Sequence, residues 1–195
     1  MELEYFRPIG KNTAINITLL AIMTALAAVM TLVIRIPYPG TGGYFNLGDT
    51  AVMLSGLLLG PVGGFVAGGV GSALADIAGA YAYWAPITLF VKGFEGMAVG
   101  FFSFRVRKNI RLSRWDISGV LIASIIMLTG YFVAEAVLLG MVVAIGELVT
   151  VNLAQVTIGG LVTILIGPTI RSYLRTAGLE SPESVEESTD TSDNA

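Results

Sequence analysis

Six ionisable side chains stand where a chain this apolar has little reason to carry any. Asp49, Asp76, Lys92, Glu95, Glu135 and Glu147 lie in or beside long uncharged runs. A charge set among hydrocarbon is costly, so such groups face a bundle interior or a wet cavity. Lys92 and Glu95 are three residues apart and share a helical face. Glu135 closes the stretch Tyr131-Phe-Val-Ala-Glu, with no base on its own helix. Asn46, Asn152 and Gln155 add hydrogen-bonding groups, and the aromatics Tyr81, Tyr83 and Trp84, with Tyr38 and Tyr44 upstream, could stack on a flat ring. Rings on a face and carboxylates or amides on a polar edge make a binding site for a small solute. The bland alternative is mutual neutralisation of Lys92 by Glu95 or Asp76, the other acids anchoring helix ends. Acids outnumber bases in this set, which favours a neutral or cationic ligand with hydrogen-bond donors.

The composition says what solvent surrounds these groups. Of 195 residues, 54% are hydrophobic and 13% charged, and mean hydropathy is +0.78. Ordinary soluble domains carry roughly 25% charged residues, so this surface is made for lipid. Histidine and cysteine are absent, which excludes a disulfide scaffold, a His-based active site and the usual zinc sites. The formal charge of −3 hides an asymmetry: six acids fall in the last sixteen residues, leaving 11 bases against 8 acids in the rest. Basic residues cluster beside apolar runs rather than in an aromatic-rich groove, which argues against nucleic acid.

Apolar runs and breakers then predict an all-α integral membrane protein of six transmembrane helices. Residues 1–13 form a polar N-terminal lead, 14–175 the membrane domain, and 176–195 a disordered acidic tail. The uncharged stretch 13–34 spans about 33 Å as a helix, enough to cross a bilayer. Prolines and glycines within 37–43 stop it. A short helix over 50–59 ends at Gly60-Pro61, and a third over 62–75 follows; a single kinked span over 50–75 is the rival. Helices over 87–104, 117–139 and 147–166 complete the set, the last continuing past Pro168, with 140–147 a hydrophobic join or the continuation of a span; five and seven are the rival counts. Arg7 and Lys11, the cluster from Arg105 to Arg114, and Arg171 with Arg175 hold nine of the eleven bases. Six alternating helices place all three groups on one side, which the positive-inside rule makes cytoplasmic together with both termini. Every one of the six buried charges then lies in the outer halves of the helices, as a pocket open to the outside requires.

Small residues show how such helices pack. Gly56, Gly60, Gly64 and Gly68 recur every four residues, as do Gly96 and Gly100, and Ala21 and Ala25 with Ala28 make a small face on the first helix. These faces serve packing within the chain or docking to a partner. Gly60-Pro-Val-Gly lacks the lysine and preceding strand of a phosphate-binding loop. Neither a nucleotide motif nor a mirrored second half is present to power transport. An autonomous facilitator would need polar residues in the inner helix halves, and an intramembrane enzyme would have only carboxylates for acid–base work.

Three stretches carry a family resemblance: Asn46-Leu-Gly-Asp-Thr-Ala-Val-Met-Leu-Ser-Gly-Leu-Leu-Leu-Gly-Pro-Val-Gly-Gly, Gly71-Ser-Ala-Leu-Ala-Asp-Ile-Ala-Gly, and Ala85-Pro-Ile-Thr-Leu-Phe-Val-Lys-Gly-Phe-Glu-Gly. Over residues 14 to 175 the chain resembles the substrate-binding S components of energy-coupling factor vitamin transporters, closest to the riboflavin, hydroxymethylpyrimidine and pyridoxine-type members. The resemblance implies a multi-pass protein of the prokaryotic plasma membrane, not an enzyme, with no covalent cofactor. It implies capture of a vitamin, riboflavin or another heteroaromatic, under a lid formed by the first outer loop, 35–48. It also implies a transmembrane coupling subunit, docked through Ala21, Ala25 and Ala28, and two ATPase subunits. Asp49, Lys92, Glu95, Glu135 and Asn152 become pocket residues on this likeness.

Overall fold

The computed structural model describes residues 13–38, 43–104 and 111–176. The lead at 1–12, the bases at 105, 107 and 108, and the tail at 177–195 lie outside the described residues. Helix α1 is Thr13–Val33, followed by a two-strand antiparallel pair, β1 Ile36–Pro37 with β2 Tyr44–Phe45, in which Ile36 faces Phe45. Then come α2 Gly48–Ala78, α3 Ala85–Phe104, α4 Arg114–Leu138, α5 Met141–Glu147 and α6 Leu153–Thr176. A single wide π-helical turn, Leu148–Asn152, joins the last two. Five segments are long and apolar enough to span a membrane, with α5, the π turn and α6 forming one of them.

The second segment is broken in the middle. Gly60 has φ 79° and ψ −171°, a region open only to glycine, and Pro61 follows at the first position of a new helix. Around this point the chain doubles back. A Cβ on Gly64 would lie 2.7 Å from the Gly56 Cα, and one on Gly68 would lie 2.8 Å from Val52. Eight residues of straight helix would hold Gly56 and Gly64 about 12 Å apart. Two antiparallel arms, 48–59 and 61–78, therefore meet at the Gly-Pro step, and neither is a kinked continuation of the other. They start and end two to three residues beyond the sequence boundaries.

Glycine also sets the distance to α3. Hypothetical Cβ atoms on Gly56 and Gly64 would lie 2.1 and 2.4 Å from the Gly96 carbonyl oxygen, and one on Gly100 would lie 2.4 Å from the Gly60 carbonyl carbon. Backbone meets backbone, the arrangement small residues permit in lipid. Helix α1 leans on the second arm in the same way, with Gly71 against Ala27 and the Thr24 carbonyl. Met53, Leu57, Ala67, Val99, Val120, Met127 and Val156 fill the remaining interior from α2, α3, α4 and α6. Val137, Val142, Leu165 and other large apolar side chains point outward.

Three local features complete or depart from the sequence reading. The loop over 35–48 contains the β1–β2 pair, which dipeptide strands in a Pro/Gly-rich stretch do not announce. The stretch 140–147, open between a join and a continued span, is helical from Met141 and runs into the π turn, so it continues into the last helix. Arg171, counted from the sequence among the bases at the cytoplasmic end of the last helix, is buried in a two-pronged ion pair with Asp116, at 2.7 and 3.3 Å. Asp116 also accepts from the Ser113 N–H, closing a capping box at the start of α4. The pair thus ties the start of α4 to the end of α6.

Replacing Gly64 with valine should lower the thermal unfolding midpoint in detergent by several degrees, because rigid backbone cannot yield to the added atoms; overpacking of this kind costs about 1–3 kcal/mol. Gly146 in α5 has nothing within 4 Å of its Cβ position. Gly146→Ala should leave the midpoint unchanged or raise it, since helical glycine is worse than alanine by about 0.5–1 kcal/mol. A Gly64→Val protein as stable as the parent would contradict the close-packed hairpin.

Candidate functional site

Proximity of the α2 arms to α3 decides where the charges go. Asp49 begins the first arm, Lys92 and Glu95 lie on the adjoining face of α3, and all three are almost fully buried. The Lys92 ammonium donates to Asp49 Oδ1 and, at 3.0 Å, to Glu95 Oε2, and it lies 5.5 Å from the centre of the Tyr131 ring. Two carboxylates and one ammonium form a compact, nearly dry ion cluster. Gly159 of α6 packs on its back, where a Cβ would sit 2.7 Å from that of Asp49.

A cavity of about 580 Å³, partly open to solvent, lies beside this cluster. Strand β2, the end of the second α2 arm, and the adjoining parts of α1, α3, α4, α5, the π turn and α6 all reach it, so its walls come from one end of the bundle. One side is aromatic and hydroxylic. Tyr44 stacks on Tyr81 with ring centres 4.9 Å apart, Trp84 lies 6.4 Å from Tyr131, and Thr88 accepts from the Tyr131 hydroxyl at 3.1 Å. The Tyr44 hydroxyl donates to Asp76 Oδ1 at 3.0 Å. Burial, and then the Asp76 carboxylate, push the Tyr44 pKa well above the usual tyrosine range, so the hydroxyl remains a donor. Arg35 lies over the Tyr44 and Tyr81 rings and donates to the Ala75 and Gly79 carbonyls, sealing the end of the second α2 arm.

The rest of the lining is built of acids and amides. Asn152 donates to Glu135 at 3.1 Å, and Gln155 Oε1 accepts from both the backbone and side-chain nitrogens of Asn46, at 2.7 and 2.8 Å. Asn46 Oδ1 in turn accepts from the Gly48 N–H. The π turn is what aims this side. In an α-helix, Glu147 and Asn152 would point about 140° apart; the wide turn brings both to the cavity. Gly43 lies so close to Glu147 that a Cβ would be 2.2 Å from its Oε2.

Of the residues singled out from the sequence, Tyr44, Asn46, Asp76, Tyr81, Trp84, Lys92, Glu135, Glu147, Asn152 and Gln155 line this cavity. Asp49 and Glu95 do not; they stand behind Lys92 and hold it. Tyr83 is exposed and packs on Trp84 from outside, with ring centres 5.4 Å apart. Tyr38 follows β1, its N–H donating to the Gly43 carbonyl, and is not part of the cavity wall. Ala21 and Ala25 are exposed on α1, and Ala28 is half-buried beside Gly71.

The sequence reading passed over Thr31, Gly43, Ser72, Thr88, Val151 and the wall position of Tyr131. A signal existed for several of them. Ser72, Thr88 and Tyr131 each precede a recognised charged residue by four positions, on the same helical face as Asp76, Lys92 and Glu135. Among the described residues, no group of acids is arranged to hold a metal ion.

A solute-binding cavity at one end of a small membrane bundle defines a membrane binding protein. The family model for the S component of ECF-type riboflavin transporters matches residues 11–172, and the chain belongs to that family. It is therefore the membrane-embedded S component of an ECF-type transporter, a binding subunit for a small vitamin-like solute that works with a coupling module, and not an enzyme. It is a multi-pass protein of the prokaryotic plasma membrane. An uncharacterised protein of Pyrococcus woesei is 44% identical over 119 residues, covering 61% of this chain and 77% of its own length. The thiamine precursor transporter HmpT of Lactococcus lactis is 28% identical over 156 residues, 80% of this chain and 87% of its own. A solved S component of a bacterial ECF transporter shares the fold, with a TM-score of 0.58 and 21% identity across 81% of this chain and 96% of that one.

Lys92→Met should unfold or severely destabilise the protein, because it strands two buried carboxylates; breaking buried pairs in this way costs about 3–5 kcal/mol. Adding Asp49→Asn and Glu95→Gln removes the stranded charge and should restore most of the melting temperature in detergent. A single Lys92→Met variant melting with the wild type would show the cluster to be energetically idle.

Proposed function

We propose that this chain crosses the membrane six times with both termini in the cytoplasm, and that it captures a flat heteroaromatic vitamin or vitamin precursor from the outside. The six crossings count the two α2 arms separately. Bases at the ends of α1, α3 and α6 then share the cytoplasmic side, and the cavity opens outward. The observation that carries the binding reading is the cavity itself, whose lining combines aromatic rings with buried carboxylates and amides. Rings supply stacking area for a planar heterocycle, and the polar wall reads its edge. Riboflavin, a hydroxymethylpyrimidine and pyridoxine are the solutes this reading admits. In keeping with the acid excess, free vitamins are favoured over their phosphate esters.

Strand β2 and Gly43 roof the cavity, which suits the segment 35–48 to act as a lid. Release into the cell then depends on a transmembrane coupling subunit and two ATPase subunits. Ala21 and Ala25, on the lipid-facing side of α1, are the surface proposed to meet the coupling subunit, with Ala28 at its edge. A passive channel is disfavoured because the cavity walls come from one end of the bundle, while Arg171–Asp116 and the glycine contacts close the other.

Two measurements test this reading. Mass spectrometry of the small molecules released by denaturing the purified protein should find a stoichiometric heteroaromatic vitamin or precursor. A preparation that is empty, and is not stabilised in thermal-shift titrations by riboflavin, hydroxymethylpyrimidine or pyridoxine, would remove the vitamin assignment. Ala25→Trp should retain solute binding in detergent but abolish uptake by cells that supply the coupling module. Undiminished uptake would remove α1 from the docking surface.

A further inference from the structure

Several donors of the cavity wall are already engaged. Lys92, Asn46, Asn152 and Tyr44 direct their donors to protein oxygens. Three wall atoms have no partner among the described residues: Ser72 Oγ, Asp76 Oδ2 and Glu147 Oε1. Each belongs to a residue at least nine-tenths buried. A buried carboxylate oxygen left without a donor is unfavourable, so these atoms favour an occupant that brings N–H or O–H groups.

Glu147 differs from the other two in its surroundings. Ser72 can rotate its hydroxyl and serve as donor or acceptor. Asp76 is already engaged by Tyr44 through its other oxygen and has Arg35 nearby. Glu147 shares a hydrogen bond with a second acid, Glu135, one carboxyl donating its proton to the other, while its Oε1 has no donor among the described residues and the Lys92 ammonium is held by Asp49 and Glu95. The carboxyl is also held in place. The π turn directs it inward, and the Gly43 backbone leaves it almost no room to swing toward the strand pair.

We propose that Glu147 is the specificity-determining residue of this cavity and that it selects a flat heterocycle bearing an exocyclic amino group, whose N–H donates to Oε1. The proposal rests on the reading of the cavity as a vitamin or precursor site and narrows its solute class. An amino-heterocycle supplies a donor to the orphan oxygen and, being basic, is favoured beside two acids. A ring edge made of carbonyls would set acceptor against acceptor at the same place.

The test is isothermal titration of the full-length protein in detergent with three solutes: a hydroxymethyl-aminopyrimidine, the same ring with oxo in place of amino, and riboflavin. The aminopyrimidine should bind at least about tenfold more tightly than its oxo analogue, the least expected from one buried charge-assisted hydrogen bond. Glu147→Gln converts one acceptor into a donor and should shrink that ratio about tenfold or reverse it. The wild-type comparison stands even if the variant does not fold. Equal binding of the amino and oxo rings, or tighter binding of riboflavin than of the aminopyrimidine, would overturn the role of Glu147 while leaving a vitamin-binding subunit intact. Failure of all three solutes, and of pyridoxine as well, to bind would overturn both.

Discussion

Backbone-to-backbone contact between the α2 hairpin and α3 is the constraint from which the remaining geometry follows. In a bilayer, lipid tails are as apolar as leucine side chains, so hydrophobicity alone does not drive helices together. Close approach of bare backbone offers dense van der Waals contact instead. Gly56 and Gly64 meet the Gly96 carbonyl, and Gly100 meets the Gly60–Pro61 peptide. With side chains removed from that seam, α3 is close enough for Lys92 to reach Asp49 on the neighbouring arm while keeping Glu95 on its own helix.

That ion cluster explains how a charged cavity can exist in so apolar a chain. Lys92 would be untenable alone in the bundle, and so would two buried acids, but the three together leave only one excess negative charge. The cluster forms a floor, and the solute-facing wall is built above it by groups whose positions are hydrogen-bonded in turn: Tyr44 on Asp76, Tyr131 on Thr88, Asn152 on Glu135, and Asn46 on Gln155. Each of these bonds joins two different elements. A binding site whose walls are cross-linked in this way is largely preorganised, which reduces the ordering needed when a solute enters. Toward the other end, Arg171 and Asp116 make a second buried ion pair between α4 and α6, so both ends of the bundle are tied by charge while its middle is tied by packing.

Much of the architecture was legible in the residues because lipid imposes simple rules. Long uncharged runs had to be helices, Gly60-Pro61 had to break one, and charges inside apolar runs had to face inward. Asp76, Lys92, Glu135, Glu147, Asn152 and Gln155 could be gathered as one polar set from their register alone. The periodicity carried more than was read from it, since Ser72, Thr88 and Tyr131 lie one helical turn before residues already identified. The burial of Arg171 was not legible, because its partner Asp116 lies 55 residues away along the chain.

What the sequence by itself determined is the solvent, the helices and the residues too polar to face lipid, because each follows from local composition and the cost of burying a charge. Only the tertiary structure decided which polar group faces the cavity and which stands behind it. Asp49 and Glu95 were indistinguishable in kind from Glu135 and Glu147, yet the first two are consumed in holding Lys92 while the second two face the cavity. The physical reason is that this division depends on contacts between helices and on one π turn that rotates Glu147 and Asn152 onto a common side. Neither interhelical distance nor an extra residue in a helical turn leaves a periodic signature along the chain.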